Sequence, residues 1–171
     1  FGSMGDRLWH LARGIDNRRV SRDAPMKSIS NETTFHEDTG DPNLLDGHLW
    51  RMCEKVADRA KAKELAGRTV TLKLKRADFT LLSRRTTLRE PTQTADTLYR
   101  TARGLFDQVG NKGPYRLLGA GLSDLCSAAD ADRSADLLDP GAAKRRAAEA
   151  ATDRIRGRFG PDAILKGRAL R

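Results

Sequence analysis

Polar and apolar side chains alternate in the run KSISNETTF, residues 27–35. An extended chain points successive side chains to opposite faces, so alternation with period two predicts a half-buried strand. One face of this strand would carry Ile29, Thr33 and Phe35, and the other would carry Ser28, Ser30, Glu32 and Thr34. The first face requires a core, and the second requires water or a specific partner.

Two later segments have the three- and four-residue spacing of amphipathic helices. The first follows Asp41-Pro42-Asn43, runs to about residue 65 and is expected to stop at Gly67; its repeated apolar residues are Leu45, Leu49, Met52, Val56 and Ala60. The second covers about residues 94–109, and the run 111–114 ends it; its apolar residues are Leu98, Ala102, Leu105, Phe106 and Val109.

Three further strands are predicted at RTVTLKLKR (68–76), FTLLSRRTTL (79–88) and from YRLLGAGL to about residue 125. The order is then β-α-β-β-α-β, which predicts an α+β fold of the split β-α-β, ferredoxin-like kind. Two helices would cover one face of a four-stranded sheet and leave the other face open. Ser28, Ser30 and Thr34 would lie on that open face, and Thr71, Lys73 and Lys75 would join them.

The remaining segments differ in composition from this domain of residues 27–126. Residues 1–14 are helix-prone, and residues 15–26 form a polar linker. Residues 127–140 form a second linker, small and acidic, and residues 141–171 form a basic tail that is helical or flexible. The chain does not begin like a natural protein, so we expect it to be a piece of a longer one.

Charge favours a polyanionic partner over a neutral one. Lys and Arg number 32 against 23 acidic residues, a net charge of +9. Residues 68–89 hold seven basic residues against one acid, so the predicted hairpin is a local cationic patch. A generically basic surface is the alternative. The isolated Cys53 and Cys126 suit a reducing, cytoplasmic location, and no membrane span is visible.

No active site can be identified in the sequence, so we expect neither catalytic nor metal-ligating residues. The acidic residues Glu37, Asp38 and Asp41 lack the spacing of an oxygen-ligand loop, and a turn with a helix cap is favoured. The three histidines, His10, His36 and His48, lack metal-ligand spacing and are interpreted as surface or packing residues.

A binding function fits the residues better. Hydroxyl, Lys and Arg side chains hold phosphate oxygens, and the open face together with the run Ser83-Arg84-Arg85-Thr86-Thr87 supplies them. The exposed aromatics with which RNA-recognition sheets stack bases are missing from the central strands. The pattern therefore favours contact with a duplex backbone, and a merely solvated sheet face is the alternative.

These segments, taken together, resemble the little finger domain of bacterial DNA polymerase IV, a group of Y-family translesion polymerases. The resemblance rests on KSISNETTF, the long helix, VTLKLKRADF, SRRTTL and YRLLGAGLSDL, and GDRLWHLARGID is similar to the end of the thumb. It implies an error-prone DNA polymerase that uses magnesium bound by carboxylates located upstream of this chain. No catalytic residue can therefore be assigned here.

The resemblance does imply contacts with the phosphates of primer-template DNA. On the first strand these would be made by Lys27, Ser28, Ser30 and Thr34, and on the third by Ser83, Arg84, Arg85 and Thr86. Lys73 and Lys75 join them from the pattern of the second strand.

The family also carries a sliding-clamp motif after the last strand. Ser134, Ala135, Asp136, Leu137 and Leu138 stand in that place without the family's Gln and Phe. The segment is either a degenerate clamp-binding motif or an acidic linker with two leucines.

Two other functions stay open at this point. The chain could belong to a Y-family relative that lost its catalytic carboxylates and acts as a DNA-binding adaptor. It could also be an unrelated ferredoxin-like regulatory module, which KSISNETTF disfavours. The sequence upstream would separate the first of these from a polymerase.

Overall fold

A four-stranded sheet with two helices across one face forms the centre of the computed structural model, which describes residues 2–19, 25–110, 112–132 and 139–170. The helices are α1 (Gly2–Leu11), α2 (Pro42–Ala62), α3 (Ala95–Val109) and α4 (Ala142–Phe159). The strands are β1 (Ser28–Thr39), β2 (Leu65–Arg76), β3 (Leu81–Thr92) and β4 (Tyr115–Ser127), and short 3-10 turns cover Ala128–Asp130 and Gly167–Leu170.

The strand order is β1-β4-β2-β3, and each neighbouring pair is antiparallel. It follows that β1 and β2 run parallel with β4 between them, and that β3 and β4 run parallel with β2 between them. Each parallel pair is joined by one helix, α2 or α3. The structure thus contains two split β-α-β units, and the predicted α+β fold class is confirmed.

The core lies between the sheet and these two helices. All five repeated apolar residues of the first predicted helix are buried, and so are all five of the second. Three further residues of α2 join them: Trp50, Cys53 and Ala57. Burial raises the pKa of the Cys53 thiol, so this cysteine serves as a small apolar side chain.

The start of α2 agrees with the sequence, and its end does not. Asp41 accepts a hydrogen bond from the backbone N–H of Asn43 at 2.9 Å, and Pro42 occupies the first turn. The chain then reverses at Glu64, whose φ of 53° is left-handed, and β2 begins at Leu65. Gly67 is therefore part of β2 and does not stop the helix.

Gly67 is needed in β2 because of a close approach. A Cβ at this position would lie 2.7 Å from Leu122 Cγ and 2.8 Å from the Ser123 carbonyl.

The ends of the two outer strands also differ from the prediction: Glu37 and Asp38 continue β1, and Phe79 precedes β3.

The C-terminal segment packs against α2 and α3 through charged groups. Lys61 Nζ lies 2.6 Å from Glu149 and 2.7 Å from Asp153. Burial lowers the pKa of Lys61, but hydrogen bonds to Asp153 and Glu149 raise it, and the net direction is upward. Arg156 pairs with Glu54 at 3.1 Å. These ion pairs hold α4 on the outer side of the two helices.

Residues 166–169 continue the same contact beyond α4. Lys166 Nζ lies 4.3 Å from the ring centroid of Trp50, and Arg168 lies 4.5 Å from that of Tyr99. The Tyr99 hydroxyl donates to Asp46, and burial together with this carboxylate raises the pKa of Tyr99 to about 12. The segment predicted as helical or flexible therefore ends in contacts with the domain.

Glu149 caps a helix to which it is not adjacent in sequence. Thr94, the N-cap residue of α3, makes no side-chain capping bond. Instead, the Glu149 carboxylate accepts from the backbone N–H of Ala95 at 2.8 Å and of Asp96 at 3.2 Å. A negative charge at a helix N-terminus satisfies unpaired donors and interacts favourably with the dipole. Only 6% of Glu149 is exposed, so its carboxylate is largely shielded from solvent.

The first helix, α1, buries none of its residues. Its apolar residues Met4, Leu8, Trp9 and Leu11 are all exposed. Within the described ranges, no helix has both the length and the apolar character that crossing a bilayer requires.

We predict that Glu149→Gln lowers the free energy of unfolding by about 1–3 kcal/mol, because a buried acceptor of two backbone donors loses its charge. Urea denaturation followed by circular dichroism measures the change. Asp162→Asn is the matched control: it neutralises an exposed acid of the same segment and should shift stability by less than about 0.5 kcal/mol. Equal effects of the two substitutions would contradict the capping role.

Candidate nucleic-acid interface

The sheet face opposite the helices, here called the open face, consists of four cross-strand rows. Each row takes one residue from β1, β4, β2 and β3 in turn. In order along the sheet the rows are Ser28-Ser123-Thr69-Thr87, Ser30-Gly121-Thr71-Arg85, Glu32-Gly119-Lys73-Ser83 and Thr34-Leu117-Lys75-Leu81. The face is thus dominated by hydroxyl groups, with the cations towards β2 and β3.

Two glycines keep the centre of the open face shallow. A Cβ at Gly119 would lie 2.8 Å from Glu32 Cβ, and a Cβ at Gly121 would lie 3.2 Å from Ser30 Cβ. Both glycines lie in the predicted strand YRLLGAGL, and the close approach of β1 explains why glycine occurs there.

An ion pair crosses β4 above Gly119. Glu32 and Lys73 both pair with Gly119 in the sheet, so their backbones lie two strand spacings apart, about 10 Å. Their side chains nevertheless meet, with Lys73 Nζ 2.7 Å from Glu32 Oε2. A side chain at Gly119 would stand between them. Lys73 is therefore already engaged by a carboxylate, which the sequence analysis did not anticipate.

The structure separates the cluster predicted on the third strand. Ser83 and Arg85 lie on the open face, opposite Lys73 and Thr71. Arg84 and Thr86 pair with Leu72 and Val70 and therefore point to the helix side of this edge strand. The physical reason is the two-residue period of a strand, which cannot place consecutive residues on one face. Arg84 stays exposed, and its Nη1 donates to the Ser83 carbonyl at 2.9 Å.

The first strand presents its residues as expected. Ser28, Ser30 and Thr34 are exposed on the open face, and Lys27 is exposed just before β1. Arg59 of α2 reaches the same edge, where its Nη1 donates to the Ser30 carbonyl at 2.9 Å. Sequence reasoning missed Arg59 because helix periodicity gives no sign that a solvent-side arginine reaches a sheet edge.

Arg85 and Lys75 are the cations of the open face best placed to meet an anion. In residues 2–19, 25–110, 112–132 and 139–170 neither has a carboxylate within ion-pair distance, whereas Lys73 does. Hydroxyl groups and unpaired cations on a flat surface are suited to phosphate oxygens.

Two of the histidines make contacts within the fold. His48 packs edge-on against Phe35, with ring centroids 4.8 Å apart, and burial with nearby Arg51 lowers the pKa of His48. His10 Nδ1 lies 2.8 Å from the Asp6 carbonyl oxygen. Across the part of the chain that the structure describes, no three His, Cys, Asp or Glu residues could hold a metal ion.

The family model of the impB/mucB/samB family C-terminal domain matches residues 26–137. The chain belongs to this family. Two curated relatives are named DNA polymerase IV: one from Brucella melitensis, 46% identical over 98% of this chain, and one from Caulobacter vibrioides, 46% identical over 99%. The chain spans 37% and 42% of their lengths, respectively. The resemblance to bacterial DNA polymerase IV is confirmed.

Solved structures have the same fold. A Y-family DNA polymerase chimera, Dbh-Dpo4(243-245)-Dbh, superposes on 74% of this chain with a TM-score of 0.54 at 16% identity, covering 36% of its own length. An insertion ternary complex of Dbh DNA polymerase gives 0.53 at 15% identity, with 73% of this chain and 36% of that chain covered. This chain therefore shares the fold of the matched part of these two structures.

The sequence-based clamp segment, Ser134 to Leu138, lies outside the described residues. The described flanks are anchored on either side of it: Asp132 accepts from the Thr92 hydroxyl at 2.9 Å, and Asp139 pairs with Arg100 at 3.0 Å. These contacts concern the flanking residues alone, and clamp binding stays a prediction.

We predict that Gly119→Ala destabilises the domain by about 1–3 kcal/mol, because the new methyl group overlaps Glu32 Cβ and forces β1 outward. Gly121→Ala meets a neighbour at 3.2 Å instead of 2.8 Å and should cost less. Thermal and urea unfolding of the two variants test the order. A larger loss of stability for Gly121→Ala than for Gly119→Ala would contradict the conclusion that β1 approaches β4 most closely at Gly119.

Proposed function

We propose that this chain is the duplex-DNA-holding region of an error-prone translesion DNA polymerase. Membership of the family supports the parent activity, since curated relatives are named DNA polymerase IV. The observation that carries the DNA-holding role is the open face, where hydroxyls and cations are left uncovered by both helices. Its partner is the sugar-phosphate backbone of primer-template DNA.

The chemistry of the face favours a non-specific contact. Ser, Thr, Lys and Arg bound to phosphates fix position on a duplex but do not distinguish bases. The central rows present Gly119, Gly121, Thr71 and Lys73 in place of aromatic rings, so base stacking is not supported. Magnesium would be held by the polymerase's catalytic carboxylates, which we place outside this chain.

Two finer proposals rest on sequence alone. Residues 134–138 occupy the position of a clamp-binding segment, and their two leucines are the features that support tethering to a sliding clamp. A catalytically inactive relative with an adaptor role is the alternative for the whole protein. Acidic metal ligands in the upstream sequence distinguish a polymerase from this adaptor.

The chain should bind a labelled duplex without sequence preference and with steep salt dependence. If about 4–6 phosphates are contacted, affinity falls by about 10²- to 10³-fold between 50 and 200 mM salt. Lys75→Ala with Arg85→Ala should weaken binding and reduce the slope of log K against log[salt] by about two. Fluorescence anisotropy over a salt series measures both quantities.

The matched control is Lys55→Ala with Arg154→Ala, which removes two exposed cations from α2 and α4. Both pairs change the net charge equally, so long-range electrostatics alone would affect them alike. Equal losses of affinity from the two pairs would rule out the open face as the docking surface.

Glu32→Gln should strengthen DNA binding by a few fold, because it removes an anion from the open face and frees Lys73 for phosphate. Glu37→Gln makes the same charge change at an exposed position near the end of β1 and should have a smaller effect. Anisotropy titrations at one fixed salt concentration compare the two. If both variants match the parent chain, Lys73 does not contact DNA.

A further inference from the structure

The turn between β2 and β3 holds an aromatic residue in an unusual conformation. Phe79 has a φ of 65°, in the left-handed region that bulky residues rarely adopt. The turn is fixed by hydrogen bonds: Phe79 N–H donates to the Arg76 carbonyl at 3.0 Å, Arg76 N–H to the Thr80 carbonyl at 3.0 Å, and Thr80 N–H to Asp78 Oδ1 at 2.9 Å. Glycine would adopt this conformation at lower cost.

Burial in the core does not compensate for this cost, because 59% of Phe79 is exposed. The ring is flanked by cations instead: Lys75 Nζ and Arg116 Cζ each lie 4.7 Å from its centroid. Arg116 is also 3.3 Å from Asp38, and Lys75 has no carboxylate partner within the described ranges. An exposed ring with two adjacent cations at a strained position indicates a binding role.

The turn continues the open face. Lys75 and Leu81 belong to its last row, and Leu81 is 56% exposed. The hairpin tip, defined as Lys75, Phe79, Leu81 and Arg116, therefore combines two apolar side chains with two cations at one end of a hydroxyl-rich surface. Cations hold phosphate groups, and apolar side chains pack against the sugars that separate successive phosphates. A sugar-phosphate chain therefore suits the combination of side chains at the tip.

We propose that the hairpin tip extends the contact of the open face with the DNA backbone, in that Phe79 and Leu81 pack against deoxyribose and Lys75 and Arg116 hold the flanking phosphates. This inference rests on the proposed DNA-holding function and extends it beyond the flat part of the sheet. It assigns the tip an apolar contribution to affinity, which salt does not screen.

Phe79→Gly is the decisive variant, because it removes the ring while relieving the backbone. Its thermal stability should equal or exceed that of the parent chain, and its affinity for a blunt labelled duplex should fall about fivefold. The slope of log K against log[salt] should stay unchanged, whereas Lys75→Ala should lower the slope by about one. Phe159→Ala, an exposed aromatic on α4 with Arg158 at 5.2 Å, should bind like the parent.

The results separate the two proposals. If the parent chain shows no salt-dependent binding to the duplex, the DNA-holding function fails and the tip contact fails with it. If the parent binds as expected and Phe79→Gly binds equally well, only the tip contact is overturned. A Phe79→Gly variant that is less stable than the parent yet binds equally well would assign the ring a structural role.

Discussion

The burial of one apolar sheet face beneath α2 and α3 is the interaction on which the rest of the structure depends. Val70, Leu72 and Leu74 of β2 are at most 1% exposed, as are Leu118 and Leu122 of β4. Because every second residue of these central strands points to the helices, the residues between them must face away. The exposure of the hydroxyl groups and cations on the open face is thus a direct consequence of how the core is built.

The fold could be predicted from sequence because the helical spacing and the strand alternation of apolar residues are both regular. The helical spacing of Leu45, Leu49 and Met52 and the alternation in β2 identify their elements without tertiary information. The strand order could not be predicted, because no local sequence pattern indicates that β4 lies between β1 and β2. The Glu149 cap was also beyond sequence reasoning, because it joins residues that are distant along the chain.

The orientation of the candidate residues was predicted in part. Alternation correctly predicted that Ser28, Ser30 and Thr34 lie on the open face, but treating residues 83–87 as one cluster ignored that same alternation for Arg84 and Thr86. The engagement of Lys73 by Glu32 depends on a glycine in the strand between them, and only the register reveals it. The periodicity of the sequence does not reveal which residues lie opposite one another on neighbouring strands.

Charge is divided between the two sides of the molecule in different ways. On the helix side, two basic residues of the C-terminal segment form ion pairs with α2: Arg156 with Glu54, and Arg168 with Asp46. On the open face, Arg85 and Lys75 have no such partner among the described residues. The net charge of +9 does not by itself show that cations without an acidic partner lie on the open face.

The position of β4 has a consequence for the order in which the sheet can form. β4 is the last strand in the chain but occupies an inner place, with Ser28 paired to Ser123 and Leu72 to Ala120. Until residues 115–127 have been synthesised, β1 has no partner strand, and the edge of β2 that β4 covers is unpaired. Pairings between distant segments form slowly, and open edges favour association with other chains. The four-stranded sheet therefore cannot close before β4 is available to pair with both β1 and β2.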